Sequence, residues 1–311
     1  MRIPTVSCAL CSVLVLAQTA LQAEPPQIMG QGEAVVTVHA KNGKTAVAPT
    51  PEQLHLSVDG RQAQVTAIDS LNSTSSPIEM VLLIDSGLSS SLATQYEELS
   101  GFISSLPKET SIALAYMQNG QAVLATPLTS DPAVARKGLR LPLGMRGISA
   151  SPYFCLTDLA EHWPSSATGV RRVVVMITDG FDPYEPFFNP DDPYLQQAIS
   201  KSVRAGIQVN SIFWGSPRFR RAAFIGQNLL DIVSNATGGV SYGFGFMNAV
   251  SIAPYLSQVR TQLDSQYLIH FTATRRGKDD VLDARMKTEG FNAKLETPQK
   301  VLLRSTPLPI K

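Results

Sequence analysis

Two unbroken apolar runs organise the middle of the chain: Met80 to Ile84, closing on Asp85, and Val173 to Ile177, closing on Thr178–Asp179–Gly180. Runs without alternation fit strands buried on both faces, as in a parallel sheet covered by helices. Around them apolar residues return at helical spacing. Leu92, Tyr96, Leu99, Ile103 and Leu106 share one face, with Pro107 as the stop. Tyr153 to Trp163 fits a second helix, and Leu195, Ile199 and Val203 a third that ends at Gly206. Leu229, Leu230 and Val233 mark a fourth, and Ile252, Leu256, Val259 and Leu263 a fifth. Ser111 to Tyr116, Ala122 to Thr126 and Ile207 to Trp214 read as further strands. This alternation implies right-handed crossovers and an α/β fold, with a doubly wound, mostly parallel sheet. Asp85 and Asp179 then emerge at one carboxyl edge, where open α/β folds place their ligands.

The flanks follow a different period. Residues 24–32 read as a mobile leader, and Ala34 to Ala40 as a strand before an Asn42–Gly43 turn. Leu54, Leu56 and Val58 alternate with polar residues ahead of a second hairpin signal, Asp59–Gly60, and Val65 to Ile68 follow. Asn72 to Pro77 is a polar linker. Beyond residue 265, strand composition returns at Tyr267 to Thr272, Val281 to Lys287 and Phe291 to Leu295. The expected organisation is a signal peptide over 1–23, a β segment and linker over 24–77, the α/β unit over 78–265 and a β segment over 266–311. The two flanking segments are expected to pair into one small β layer.

With 311 residues, 44% hydrophobic and 16% charged, the chain can bury a sizeable core. Arg2 followed by apolar Val6 to Ala17 and small residues up to Ala23 has the form of a signal peptide. Its apolar part is shorter than the ~20 residues a spanning helix needs, so no membrane span is expected after cleavage. Cleavage removes one of the 26 basic side chains and none of the 25 acidic ones, leaving a formal charge of zero. Nothing in that balance points to nucleic acid or an anionic membrane. Cys155 is then the one cysteine left in the mature chain, read as a small buried hydrophobe without a disulfide. The chain is therefore expected outside the cytoplasm, in a periplasm or secreted.

The paired acids carry the candidate chemistry. Carboxylates with serines beside them suit Mg²⁺, which takes carboxylate, hydroxyl and water oxygens. Residues 78 to about 265 resemble a von Willebrand factor type A (VWFA) domain with its metal-ion-dependent adhesion site. That family places Asp-x-Ser-x-Ser after its first strand, a threonine in a glycine-rich loop, and Thr-Asp-Gly after another strand. Here Asp85 matches the first acid and Ser89 the last serine, while Gly87 stands where the middle serine belongs. An alternative register keeps Ser86–Gly87 as the family's Ser-Gly pair. Gly147–Ile148–Ser149–Ala150–Ser151 resembles the glycine-rich loop with Ser149 for the metal-linked threonine, and Thr178–Asp179–Gly180 matches outright. The flanks also resemble those of secreted bacterial VWFA-related proteins, as in Leu54 to Gly60.

The resemblance implies Mg²⁺ held by Asp85, Ser86, Ser89, Ser149 and Asp179, with a protein partner's carboxylate completing the coordination. It also implies a binding module rather than an enzyme. The competing reading of the acids is that Asp85 and Asp179 cap helix N-termini, where carboxylates are favourable without metal. The acidic residues Asp182, Glu185, Asp191 and Asp192 read as solvated surface. Gly239–Val240–Ser241–Tyr242–Gly243 fits Gly-x-Ser-x-Gly, so a serine hydrolase using Ser241 is one alternative function. That motif needs a strand before the serine and a helix after it, and here a helix precedes it. A structural VWFA-like protein without a working site is the other alternative.

Overall fold

The computed structural model describes residues 27–39, 48–71, 76–145, 147, 151–215, 220–243, 245 and 247–305. The signal segment, most of the 72–77 linker and Ser149 lie outside the described residues.

Strands β1 (Gln27–His39), β2 (Leu54–Val58) and β3 (Arg61–Leu71) come first. The α/β part follows: β4 (Ile78–Asp85), α1 (Tyr96–Ser105), β5 (Thr110–Gln118), β6 (Gln121–Leu124), α2 (Pro132–Arg136), α3 (Pro152–Glu161), β7 (Arg171–Thr178), α4 (Pro193–Arg204), β8 (Ile207–Phe213), α5 (Arg220–Thr237), β9 (Ser241–Tyr242) and α6 (Ala253–Leu263). The chain ends in β10 (Gln266–Arg276), β11 (Val281–Thr288), β12 (Lys294–Glu296) and β13 (Lys300–Ser305).

The apolar runs behave as their pattern requires. All eight residues of β4 are buried, and β7 is buried from Val173 to Thr178. Met80, Leu82 and Ile84 face a core shared with α1 and α6, while Val81 and Leu83 face one shared with α3, α4 and α5. Helices therefore cover both faces of a six-stranded sheet ordered β6-β5-β4-β7-β8-β9, in which only β6 runs antiparallel to its neighbour. The chain leaves β4 towards β5 and later returns to β4's other side as β7. The strand order thus reverses between β4 and β7, which is where such sheets open a crevice at their carboxyl edge.

One helix differs from its periodic pattern. Leu92 belongs to a 3₁₀ turn over Ser90–Gln95, and α1 starts only at Tyr96. The Asp59–Gly60 signal does make a tight turn, and Asn119–Gly120 makes another between β5 and β6, with both residues at positive φ in each (50° and 72°; 51° and 76°).

The expected small β layer is instead a closed barrel. Six antiparallel strands run β10-β3-β2-β11-β13-β1, and β1 pairs back onto β10 over eleven residues, with β12 extending the end of β1. Closure removes the two exposed edges that an open layer would leave. Its core holds Val36, Leu56, Val58, Ile269, Phe271 and Leu303. The mobile leader is also overturned from Gln27 onward, because β1 begins there. Gly30 and Gly32 hide that strand from a propensity reading. Side chains at those positions would run into Leu303 and the Phe271 ring, so the absence of a Cβ is what lets the barrel close.

Barrel and sheet meet in a buried polar junction. Arg171, at the start of β7, donates to the Ser76 and Leu263 carbonyls and to Gln266 Oε1 (3.2, 2.7 and 2.8 Å). Gln266 Nε2 in turn donates to Gln208 Oε1 (2.7 Å), and Gln208 Nε2 to the Gly238 carbonyl. Among the described residues no helix is long and apolar enough to cross a membrane.

Candidate functional site

Asp85 stands at the end of β4 and is 1% exposed. Its Oδ1 accepts the Gly87 N–H (2.7 Å), which folds the chain into a tight turn. Its Oδ2 accepts from the Thr178 hydroxyl (2.8 Å), so the ends of β4 and β7 are tied together across the crevice. Asp179, half-buried, accepts the Phe181 N–H at Oδ1 (3.0 Å). Both acids thus order their own post-strand turns; neither is the N-cap residue of a helix.

The Thr178–Asp179–Gly180 turn is clamped from behind by α5. Gly180 has φ +66°, and a methyl added at Gly226 would be driven into the Asp179 carbonyl oxygen. Gly226→Ala should therefore cost about 1–3 kcal/mol as an overpacked contact with backbone. Gly101→Ala, on the open face of α1 with nothing within 4 Å, should be neutral or slightly stabilising. Thermal melts of the two variants check the contrast.

The remaining predicted ligands are unequally placed. Ser89 is exposed and its Oγ pairs with Ser91 Oγ (2.5 Å), which also accepts from Trp214 Nε1 (3.3 Å). This links the β4 turn to the end of β8. Ser86 is fully buried, and its Oγ has no hydrogen-bond partner. Ser86 also decides whether these residues suit the cation that the family resemblance implies. A buried hydroxyl left unsatisfied costs about 1–3 kcal/mol, and a cation next to Asp85 would relieve it. Asp85, Ser86, Ser89 and Asp179 offer only oxygen donors, which fit Mg²⁺ or Mn²⁺. Gly87 contributes none, so water must complete the shell. The residues fit a weak site. Among the described residues no three His, Cys, Asp or Glu side chains gather into a metal cluster, so a cation held here would have to draw part of its coordination from hydroxyls.

The roles of Thr178, Asp182, Asp192 and Tyr153 escaped the sequence reading. Thr178 was in view as part of a motif, yet its hydroxyl is the direct link to Asp85. Asp182 is not solvated surface: it is 2% exposed and accepts from the Ser151 hydroxyl (2.6 Å) at the start of α3. Asp192 is also buried, as the N-cap of α4, accepting from the Tyr194 and Leu195 N–H groups. Tyr153 completes the scaffold by donating from its hydroxyl to the Gly180 carbonyl (2.7 Å). Only Ser151 and Asp192 carried a local signal: a Ser or Asp directly before a Pro-led helix is an N-cap pattern.

A rim of exposed apolar side chains surrounds this edge. Leu141, Leu143 and Met145 lie on the loop entering α3, which is anchored near the end of β5 by the Tyr116 hydroxyl accepting the Arg140 N–H (2.8 Å). Tyr184, Phe187 and Phe188 lie on the loop after β7, and Tyr194 and Phe224 in the first turns of α4 and α5. Met247 and Val250 lie on the loop after β9, tied to the end of β8 through Asn248 and Gly215 (2.8 and 2.9 Å). Away from this edge, only Met29, Val123 and Leu124 are large, apolar and exposed among the described residues.

Ser241 is in a different setting. It is 6% exposed within β9, pairs in register with Ser211, and follows helix α5. His270 is in the barrel, facing Asp69 and Glu33 (2.9 and 3.4 Å). Ser241→Ala should leave any hydrolysis of a p-nitrophenyl ester by the purified chain unchanged, and a large fall in kcat would promote the hydrolase reading.

No protein-family model and no curated protein matches the chain. Solved structures do. One is an aerotolerance-related membrane protein from Bacteroides fragilis, at 17% identity and TM-score 0.46, covering 60% of this chain and 98% of that one. Another is BatB from Bacteroides thetaiotaomicron, at 15% and 0.44, covering 60% and 97%. A third is manganese-loaded TRAP from Plasmodium vivax, at 13% and 0.41, covering 67% and 82%. Scores of this size say nothing about the site. With Asp85 and Thr178–Asp179 at the switch point of a parallel sheet covered by helices, the chain is VWFA-like in fold.

Proposed function

We propose that this chain is an extracytoplasmic binding module that docks a protein partner on the carboxyl edge of its parallel sheet. The observation that carries this reading is the apolar rim. Exposed aromatic and aliphatic side chains gather on three separate loops and at the starts of α4 and α5 at one edge, around an acidic, hydroxyl-rich centre. Contiguous apolar surface framed by polar groups is characteristic of interaction sites, and scattered single residues are not. Aromatic and Met side chains are also those enriched where interfaces are buried.

At the centre, Asp85, Ser86, Ser89 and Asp179 would hold Mg²⁺ or Mn²⁺, with Ser149 as the further oxygen that the family resemblance implies. The ion would supply an open coordination position for a partner's carboxylate, while the rim supplies apolar contact around it. We read the protein as non-enzymatic and as exported through cleavage after Ala23.

Partner capture by chemical cross-linking in the exported fraction tests the reading. Phe187→Asp combined with Val250→Asp should lower the captured partner at least ~tenfold, as expected for central interface residues. Met29→Asp, on the barrel and as exposed as Phe187, should not. The opposite pattern would move the interface off this edge.

A further inference from the structure

At the far end of α4 from the docking edge, a cleft of about 400 Å³ opens between the last turn of that helix and the barrel. Arg204 of α4 lines one side. Arg275 of β10, Lys278 and Asp280 of the following turn, and Arg304 of β13 line the other, over apolar Leu302 and Leu303. This volume falls within the roughly 300–1,000 Å³ of small-molecule sites.

The charges in the cleft do not balance. Asp280 is its one carboxylate and is taken by Arg204, whose Nε and Nη2 both donate to Oδ1 (3.0 and 2.8 Å). Arg275 feels the Asp280 charge but is held by neutral acceptors: Nη1 donates to the Lys278 and Asp279 carbonyls (3.5 and 3.1 Å) and Nη2 to Ser305 Oγ (3.0 Å). Lys278 and Arg304 are exposed, and their side chains make no hydrogen bond or ion pair with the described residues. Three cations therefore converge on one concave surface in excess of the neutralised pair. One of them is a guanidinium already fixed by its neighbours, which reduces the ordering needed on binding.

We propose that this cleft binds a phosphate-bearing ligand, with Arg275, Lys278 and Arg304 on the phosphate and Leu302 beneath its carbon part. Guanidinium groups match tetrahedral oxyanions through paired N–H donors, and an ammonium adds a mobile point charge. Asp280 then acts as an internal competitor that holds Arg204 out of play. The cleft is independent of the docking edge and needs no metal ion.

Titration of the full chain with pyrophosphate in EDTA-containing buffer of low ionic strength tests this without involving the edge. Saturable binding to one site is expected, weakening as salt is added. Lys278→Gln with Arg304→Gln should weaken it about tenfold or more, since each removes a charge-assisted contact. Asp280→Asn should tighten it by removing the competing carboxylate. Lys108→Gln, a surface cation elsewhere, should change nothing, and matched melting curves exclude misfolding. Absence of saturable binding at millimolar pyrophosphate, or equal affinities across all four proteins, would overturn the proposal. Sedimentation with phosphatidylglycerol but not phosphatidylcholine vesicles, competed by pyrophosphate, would assign the phosphate to a lipid headgroup. Pyrophosphate binding without sedimentation would assign it to a soluble ligand.

Discussion

Arg171→Ala should cost the folded chain about 3–5 kcal/mol, a loss beyond that of most single substitutions. Arg171 is 7% exposed, and burial pulls its guanidinium down to about 10, so it is charged at neutral pH. It serves three acceptors: the Ser76 carbonyl before β4, the Leu263 carbonyl at the end of α6, and Gln266 Oε1 at the start of β10. Those positions are where the chain enters and leaves the α/β unit, so one side chain joins both crossings to the barrel. Alanine leaves all three acceptors without a donor in a buried junction and adds a cavity. Urea denaturation followed by Trp163 and Trp214 fluorescence would measure the loss. A change below about 1 kcal/mol would mean that water replaces the guanidinium at the three acceptors.

Asp85→Ala should abolish any stabilisation by Mg²⁺ or Mn²⁺. In the wild type, an ion that binds only the native state should contribute ~2.7 kcal/mol at a hundredfold excess over Kd. Two features make Asp85 the residue to remove: it stands at the switch point, and its Oδ2 holds the Thr178 hydroxyl that joins the two strand ends. Gly87→Ser restores the hydroxyl of the family pattern and should enlarge the shift. Wild type without a shift at millimolar Mg²⁺, beside a Gly87→Ser variant that shifts, would make the site vestigial. No shift in either would remove these residues as ligands.

The α/β part was readable because its chemistry is local. Met80 to Ile84 and Val173 to Ile177 are apolar without a break, and only a strand covered on both faces asks for that. Their terminal acids then point to the edge where a site would form. The barrel was less readable, since closure is a long-range property. Nothing within residues 27–39 says that β1 meets β10 more than 225 positions later, and Gly30 and Gly32 suppress the strand signal there because Phe271 and Leu303 fill their space. β13 went unread altogether: Lys300 to Ser305 is short, carries a charge at each end of its apolar residues and follows Pro298. Within the site, Asp85 and Asp179 could be read from motif and strand end. Asp182 could not, because its loop is rich in Pro and acid and looks solvated; its burial depends on Ser151 arriving from α3. The apolar rim was also invisible, because its members are spread over residues 141–250 and only the topology gathers them.

Site-directed photo-crosslinking tests the docking edge most directly. A photoreactive residue is placed at Phe187, at Met247, and at the exposed barrel position Met29, and the exported protein is irradiated among its natural partners. Cross-links to one and the same partner from positions 187 and 247, with none from 29, are the predicted result. Cross-links from 29 alone would contradict the account and place the interaction surface on the barrel.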